Sequence, residues 1–316
     1  MQFRHLLLGL IAGVALSVSG LTIAGPAVTP LVGSDWLAQH LGDDDLVVID
    51  VRSGIDGTDA DGFAAGHIPG AVYSSYTAAG WRVAEGNVPG KLPDVARLEA
   101  LIGGLGVDND DTVVIVPAGV SSTDFGSAAR VYWTFKYLGH DDVAILNGGY
   151  RAWVESGGAV EAGAVNPTPA SFTAQPQPSL LADTDDVEAA VASGAQLVDA
   201  RPANQYRGDA KHPAALAAGT IPGAASLEER LLVEDGSAYF LDAAEVNQLI
   251  ETAGIRDDGP AISFCNTGHW AATAWFALSE VAGIETALYD GSMTEWTQDP
   301  SRSLVQGQQA LSELLN

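Results

Sequence analysis

Two stretches of the chain carry the same order of signals about 150 residues apart, and this repeat limits the fold more than any other feature. The first runs Leu46-Val47-Val48-Ile49-Asp50-Val51-Arg52 and later reaches Gly66-His67-Ile68-Pro69-Gly70-Ala71. The second runs Gln196-Leu197-Val198-Asp199-Ala200-Arg201 and later reaches Gly219-Thr220-Ile221-Pro222-Gly223-Ala224. Each begins as a short buried strand ending in Asp-x-Arg, and each arrives at a turn forced by Pro-Gly. Further apolar runs follow at Thr112 to Val116 and Ala261 to Phe264, each before a loop and a helix-like stretch, Ala128 to Leu138 and Ala271 to Val281. Then come Val143 to Gly149 with Trp153, and Ala287 to Gly291 with Trp296, at the same Gly-to-Trp spacing. Alternating short strands and helices predict an α/β fold of two tandem domains, each a mainly parallel sheet flanked by helices. A repeat this long means duplicated domains, not a solenoid.

The predicted boundaries are a first copy over 31–158, a linker over 159–180, a second copy over 181–301 and a tail over 302–316. The linker is set by its Gly, Ala and Pro content, including Pro167, Pro169, Pro176 and Pro178, which suits an extended segment wrapping the surface. The tail is expected to end in a short helix around Gln308 to Leu315. Residues 1–24 read as a secretory signal peptide: Arg4 in the n-region, the apolar run Leu6 to Leu16, and Thr22-Ile23-Ala24 as a small-x-small cleavage site. That run is short for a membrane span of about 20 residues, which favours cleavage over anchoring. The expectation is an exported protein without a membrane attachment after cleavage, periplasmic in a Gram-negative source.

Acidic residues outnumber Lys and Arg by 40 to 14, for a formal net charge of −26. Such a surface repels phosphate backbones and speaks against a nucleic-acid partner, while favouring solubility. It also obliges any site for an anionic ligand to bring local positive charge. An oxidising compartment rewards paired cysteines, yet the chain has Cys265 alone and can form no internal disulfide.

Cys265 stands where the apolar strand ends at Phe264 and a short loop leads into an amphipathic helix near Ala271. That is the carboxyl edge of a parallel sheet, where open α/β folds place their ligands. A loop curled around the sulfur would point successive N–H groups inward as an anion-binding nest, and the following helix adds its N-terminal partial charge. Both favour thiolate over thiol and predict a nucleophile. Gly268 supplies the freedom that a tight loop requires.

The duplicated Asp-x-Arg and Ile-Pro-Gly-Ala signals, with a cysteine loop only in the second copy, resemble the two-domain rhodanese family of thiosulfate and 3-mercaptopyruvate sulfurtransferases. The resemblance covers nearly the whole mature chain. It implies a catalytically silent first copy, where Pro117 follows Val116 in place of the cysteine, and a six-residue active loop over Cys265 to Trp270. The loop Cys265-Asn266-Thr267-Gly268-His269-Trp270 departs from both common donor patterns of the family. The family's substrate arginine aligns with Gln205, one place before Tyr206 and two before Arg207.

The cations Arg207, Lys211 and His212, close together in an insertion of the second copy, are candidates for facing the cleft, against an ordinary solvated loop. Arg82 is a second candidate. Arg52 and Arg201 recur in both copies, so a structural pair with Asp50 or Asp199, or with a nearby carboxylate, explains them better than catalysis. Trp270 either walls the pocket or joins the core. Thr267 and His269 are expected to contact donor oxygens, and amides of Asn266 to Ala271 to stabilise charge on sulfur. The implied chemistry moves sulfur from a small anionic donor to cyanide or a thiol through a Cys265 persulfide, with no metal or organic cofactor. The competing reading is a carrier or thiol sensor exchanging persulfide with a partner protein. A cysteine phosphatase would need Arg six places after Cys265, where Ala271 stands. The oligomeric state is not legible.

Overall fold

The computed structural model describes residues 28–315, so the expected signal peptide lies outside the described residues. The first copy builds a parallel sheet from β1 (Leu31–Val32), β2 (Leu46–Asp50), β3 (Val72–Tyr73), β6 (Thr112–Val116) and β7 (Val143–Leu146), in the order β1-β7-β6-β2-β3. Between β3 and β6 a separate antiparallel hairpin forms from β4 (Val83–Glu85) and β5 (Val88–Lys91). The second copy uses β8 (Leu181–Ala182), β9 (Gln196–Asp199), β10 (Ala224–Ser226), β11 (Ala261–Phe264) and β12 (Thr286–Tyr289), in the order β10-β9-β11-β12-β8. Read from the other edge, this is the same topology, so the expected duplication of a helix-flanked parallel sheet is present.

Register makes the correspondence residue-specific. Asp50 pairs with Val116 and Asp199 with Phe264, so Pro117 and Cys265 occupy equivalent positions just past the strand ends. In each copy the Asp-x-Arg motif is a buried ion pair, Arg52 to Asp50 at 2.7 Å and Arg201 to Asp199 at 2.6 Å. Each arginine also donates to the carbonyl of the glycine opening the Pro-Gly turn, Gly66 or Gly219. The motif therefore ties the strand to the turn, as its recurrence in both copies suggests.

Strand alternation sorts side chains between three cores. Val48, Val114 and Val116 face an outer core of the first copy, while Leu197 and Phe264 face an outer core of the second. Ile49, Val113, Ile115 and Val198 point the other way, into one central core shared by both copies. There the long helix Ser122–Tyr137 meets the helix Trp270–Phe276, with Phe125 4.8 Å from Phe240 and Tyr132 5.1 Å from Phe276 between ring centroids. Burial of this kind makes the two copies one packed body.

The segment 159–180 runs back over the first copy: Glu161 bridges His67, and the amides of Ala170 and Gln175 donate to Gly103 and Leu138. The tail packs on the second copy through the Thr220–Val305 bridge and a short helix Leu311–Leu314. Among the described residues no helix is long and apolar enough to cross a membrane.

Candidate active site

Cys265 follows Phe264, which faces the outer core; alternation therefore aims the sulfur at the opposite side, where the two copies meet. The thiol is free and only 1% exposed, yet it lines a cavity of about 170 Å³ together with Arg82, Thr123 and Ile55 from the first copy. His212, Asn266, Thr267, His269 and Trp270 complete the wall from the second.

The loop's carbonyls are held from outside. Cys265 O accepts from Met293 N and Asn266 O from Thr294 N, both at 3.1 Å. Thr267 O accepts from Arg82 Nη2 at 2.8 Å, and Gly268 O from Arg130 Nη1 at 2.9 Å. A trans peptide points its N–H opposite to its C=O, so the amides of Asn266, Thr267 and His269 turn away from those donors, into the ring. Ser292 closes the ring: its Oγ accepts from Cys265 N at 3.0 Å and Gly268 N at 3.2 Å and donates to Tyr289 O. Ser292 holds φ at 50°, and among the described residues it is the one non-glycine with positive φ.

The hairpin β4–β5 presses on the back of this loop. Gly90, at φ 90°, passes so close to Thr267 O and Arg82 that a Cβ would collide with both. Arg130, fully buried, donates to Gly90 O as well as Gly268 O, and Lys91 pairs with Asp290 at 2.8 Å and Glu295 at 3.0 Å. Gly268, at φ 70°, has no room for a side chain against Asp290 O and Arg130, which agrees with the demand read for a tight loop.

The first copy shows what the equivalent loop does without a cysteine. The Asp124 carboxylate, fully buried, accepts from the amides of Gly119 (2.5 Å), Val120 (3.1 Å) and Ser121 (2.5 Å). Three successive N–H groups converge on one anion, and the anion belongs to the protein. The nest of the first copy is plugged.

His269 differs from its expected role as a contact for donor oxygens. Its Nε2 lies 2.9 Å from Thr123 O, which can only accept, so Nε2 carries the proton. Nδ1 then accepts from the Tyr76 hydroxyl at 2.8 Å, and that hydroxyl accepts from Arg82 Nη1 at 3.1 Å. Both ring nitrogens are spent within the protein. Burial first, then Arg82 and Arg130, push its pKa down to about 3, so the ring is neutral and cannot supply charge.

The basic cluster of the insertion is split. Arg207 is ion-paired with Asp209 and Glu313, and Lys211 donates to the Ala215 carbonyl; neither lines the cavity. His212 does line it, but burial and the neighbouring Lys211 lower its pKa from 6.5, leaving it neutral at pH 7. The sequence placed three cations near the cleft where the fold delivers one uncharged ring. Asn266 Nδ2 donates to Gln205 Oε1 at 2.8 Å, so the residue standing at the family's arginine position orders the loop. Trp270 is a wall residue at half-burial.

Tyr76, Arg130 and Ser292 escaped the sequence reading. Arg130 carried a signal, a cation set among apolar residues of a helical run, and Ser292 stands where the repeat has Gly149. Tyr76 carried none, because its importance comes from the packing of the copies.

Residues 34–156 and 183–299 each match the family of rhodanese-like domains. The chain is 31% identical over 276 residues to the 3-mercaptopyruvate sulfurtransferase of Escherichia coli (strain K12), spanning 85% of this chain and 95% of the relative. It is 30% identical over 302 residues to thiosulfate/3-mercaptopyruvate sulfurtransferase 2 of Arabidopsis thaliana, spanning 87% and 86%. The crystal structure of a 3-mercaptopyruvate sulfotransferase from Escherichia coli superposes with a TM-score of 0.73 at 30% identity, over 84% of this chain and 99% of that one. On this similarity, and on the duplicated topology with its cysteine loop, the chain belongs to the rhodanese-like domain family and carries that domain twice.

Proposed function

We propose that the protein is a sulfurtransferase that moves sulfane sulfur from a small anionic donor to cyanide or a thiol through a persulfide on Cys265. The observation that carries this reading is the thiol at the mouth of β11, open to a cavity of about 170 Å³ and ringed by peptides whose carbonyls face outward. A space of that size takes a molecule such as thiosulfate or 3-mercaptopyruvate and excludes bulky donors.

With thiosulfate, the Cys265 thiolate attacks the outer sulfur. A new S–S bond forms while the old one breaks, and its electron pair leaves on sulfite. The terminal sulfur of the resulting persulfide is an anion, and the inward amides stabilise it as the amides of the first copy stabilise Asp124. Cyanide or a thiolate then attacks the outer sulfur and returns Cys265 as thiolate. Thiosulfate is the first donor proposed and 3-mercaptopyruvate the second.

Mass spectrometry after incubation with thiosulfate should find one added sulfur on Cys265, removed by cyanide, and Cys265→Ser should abolish turnover. A Cys265→Ser protein with full activity would refute the assignment. Persulfide exchange with a protein thiol, without turnover of either small donor, would instead make the chain a sulfur carrier. We also propose export, supported by Arg4 and the apolar run Leu6 to Leu16. N-terminal sequencing of the protein from the extracytoplasmic fraction of its native source tests it, and its absence from that fraction would overturn it.

A further inference from the structure

The donor is an anion approaching a chain of net charge −26, and the wall around Cys265 must offset that field. The charge does not come from the loop or the insertion: His269 and His212 are neutral, Arg207 is neutralised by two carboxylates, and Lys211 faces elsewhere. Lys91 is likewise neutralised by Asp290 and Glu295. We propose that Arg82, contributed by the catalytically silent copy, is the residue that binds the oxyanion end of the sulfur donor. The inference rests on the sulfurtransferase reading and names the residue that gives that site its preference for an anion.

Arg82 is the one fixed cation in the cavity wall among the described residues, and no carboxylate there lies within ion-pair distance of it. Its orientation is set by two neutral acceptors, Tyr76 Oη at 3.1 Å and Thr267 O at 2.8 Å. A guanidinium has five N–H donors, so most of its capacity is unspent, and Nε has no acceptor. Trp270 Nε1, in the same wall, is also buried without an acceptor. Two side chains with unspent N–H donors, one of them carrying an unneutralised charge, therefore line the cavity that holds the sulfur. An oxyanion in the cavity pairs with that charge, and the planar fork of arginine suits a sulfonate or a carboxylate equally. The first copy, silent in its own loop, thereby supplies the ligand charge for the second.

Because Arg82 also holds Thr267 O, the test must separate charge from loop geometry. Cys265 offers a direct comparison between iodoacetate, an anion, and iodoacetamide, its neutral analogue. Arg82→Gln should lower the iodoacetate rate relative to the iodoacetamide rate by about tenfold or more, and raise KM for thiosulfate by a similar factor with a smaller change in kcat. Arg82→Lys should recover part of both, and added salt should shrink the wild-type preference. A loop disturbed without loss of an anion site would slow both reagents together. An unchanged reagent ratio and unchanged KM in Arg82→Gln, with wild-type Cys265 still taking sulfur from thiosulfate, would overturn the role of Arg82 alone. Failure of wild-type Cys265 to take sulfur from any small donor would instead overturn the sulfurtransferase reading, while the reagent ratio would still judge the cation.

Discussion

Ser292 shows how one side chain can be worth more than its chemistry. A serine at φ 50° carries a backbone strain of about 1 kcal/mol that glycine would relieve, and the repeat has Gly149 at φ 62° in the same place. The strain is retained because the hydroxyl gives the amides of Cys265 and Gly268 their acceptor. Removing it leaves two buried N–H groups unpaired, at roughly 1–3 kcal/mol each. Two substitutions separate these effects. Ser292→Ala keeps the strain and loses the acceptor; Ser292→Gly loses both. Urea unfolding should place Ser292→Gly about 1 kcal/mol above Ser292→Ala in stability, while sulfur uptake by Cys265 slows in both to the same extent. Equal stabilities would show that the backbone is not strained, and unimpaired uptake would show that the ring does not need its closing acceptor. None of this was open to a reading of the sequence. The single Cys and its loop could be recognised because strand, loop and helix follow one another along the chain. Ser292 lies 27 positions away in sequence and acts through space.

At the scale of elements, the two loops after β6 and β11 share a backbone design with opposite contents. The loop after β11 surrounds a sulfur, and that after β6 surrounds Asp124. Asp124 also forms a capping box with Ser121 at the start of the helix Ser122–Tyr137, so one carboxylate serves nest and helix together. Asp124→Ala should cost about 3 kcal/mol, since it leaves buried amides without an acceptor. Small oxyanions should return part of that loss: thermal unfolding of Asp124→Ala should shift upward with millimolar sulfate or thiosulfate, and the wild type should shift less. If sulfate moves both proteins alike, the loop is no anion nest. The repeat, its parallel sheets and the buried Asp-x-Arg pairs were legible because each is written in contiguous residues with a local physical cause. The hairpin β4–β5 was not. Val83–Glu85 and Val88–Lys91 are short and mixed in polarity, and their role comes from docking on the other copy's loop. The insertion cations misled for a related reason, since Glu313, which neutralises Arg207, lies 106 residues further along.

Across the whole molecule the copies meet through a single core, so a group buried at their junction acts on the stability of both. Glu229 is such a group. It opens the turn Glu229–Leu232 of the second copy beside Ser122 of the first, at 5% exposure, and its Oε2 has no partner. Tyr76 holds the matching position in the first copy, its amide donating to Val51 O as that of Glu229 donates to Ala200 O. Burial, only partly offset by Ser122 and Arg230, raises the Glu229 pKa from 4.5 to about 7. The folded protein therefore holds a proton between those values that the unfolded chain has released, and folding takes up a proton. Stability from this group falls as pH rises from 4.5 to about 7 and stays low above, by roughly 3 kcal/mol in total. That is a large share of the 5–15 kcal/mol typical of a folded domain. Glu229→Gln removes the titration and keeps the shape. Its unfolding free energy should match that of the wild type near pH 4.5 and exceed it by roughly 3 kcal/mol at pH 8. Because the core is continuous, the gain should shift one cooperative transition that includes both copies. Parallel pH profiles for the two proteins would show that the carboxyl is solvated in solution. A gain confined to an early, separate transition would show that the copies unfold independently, and the shared core would then contribute less than its burial implies.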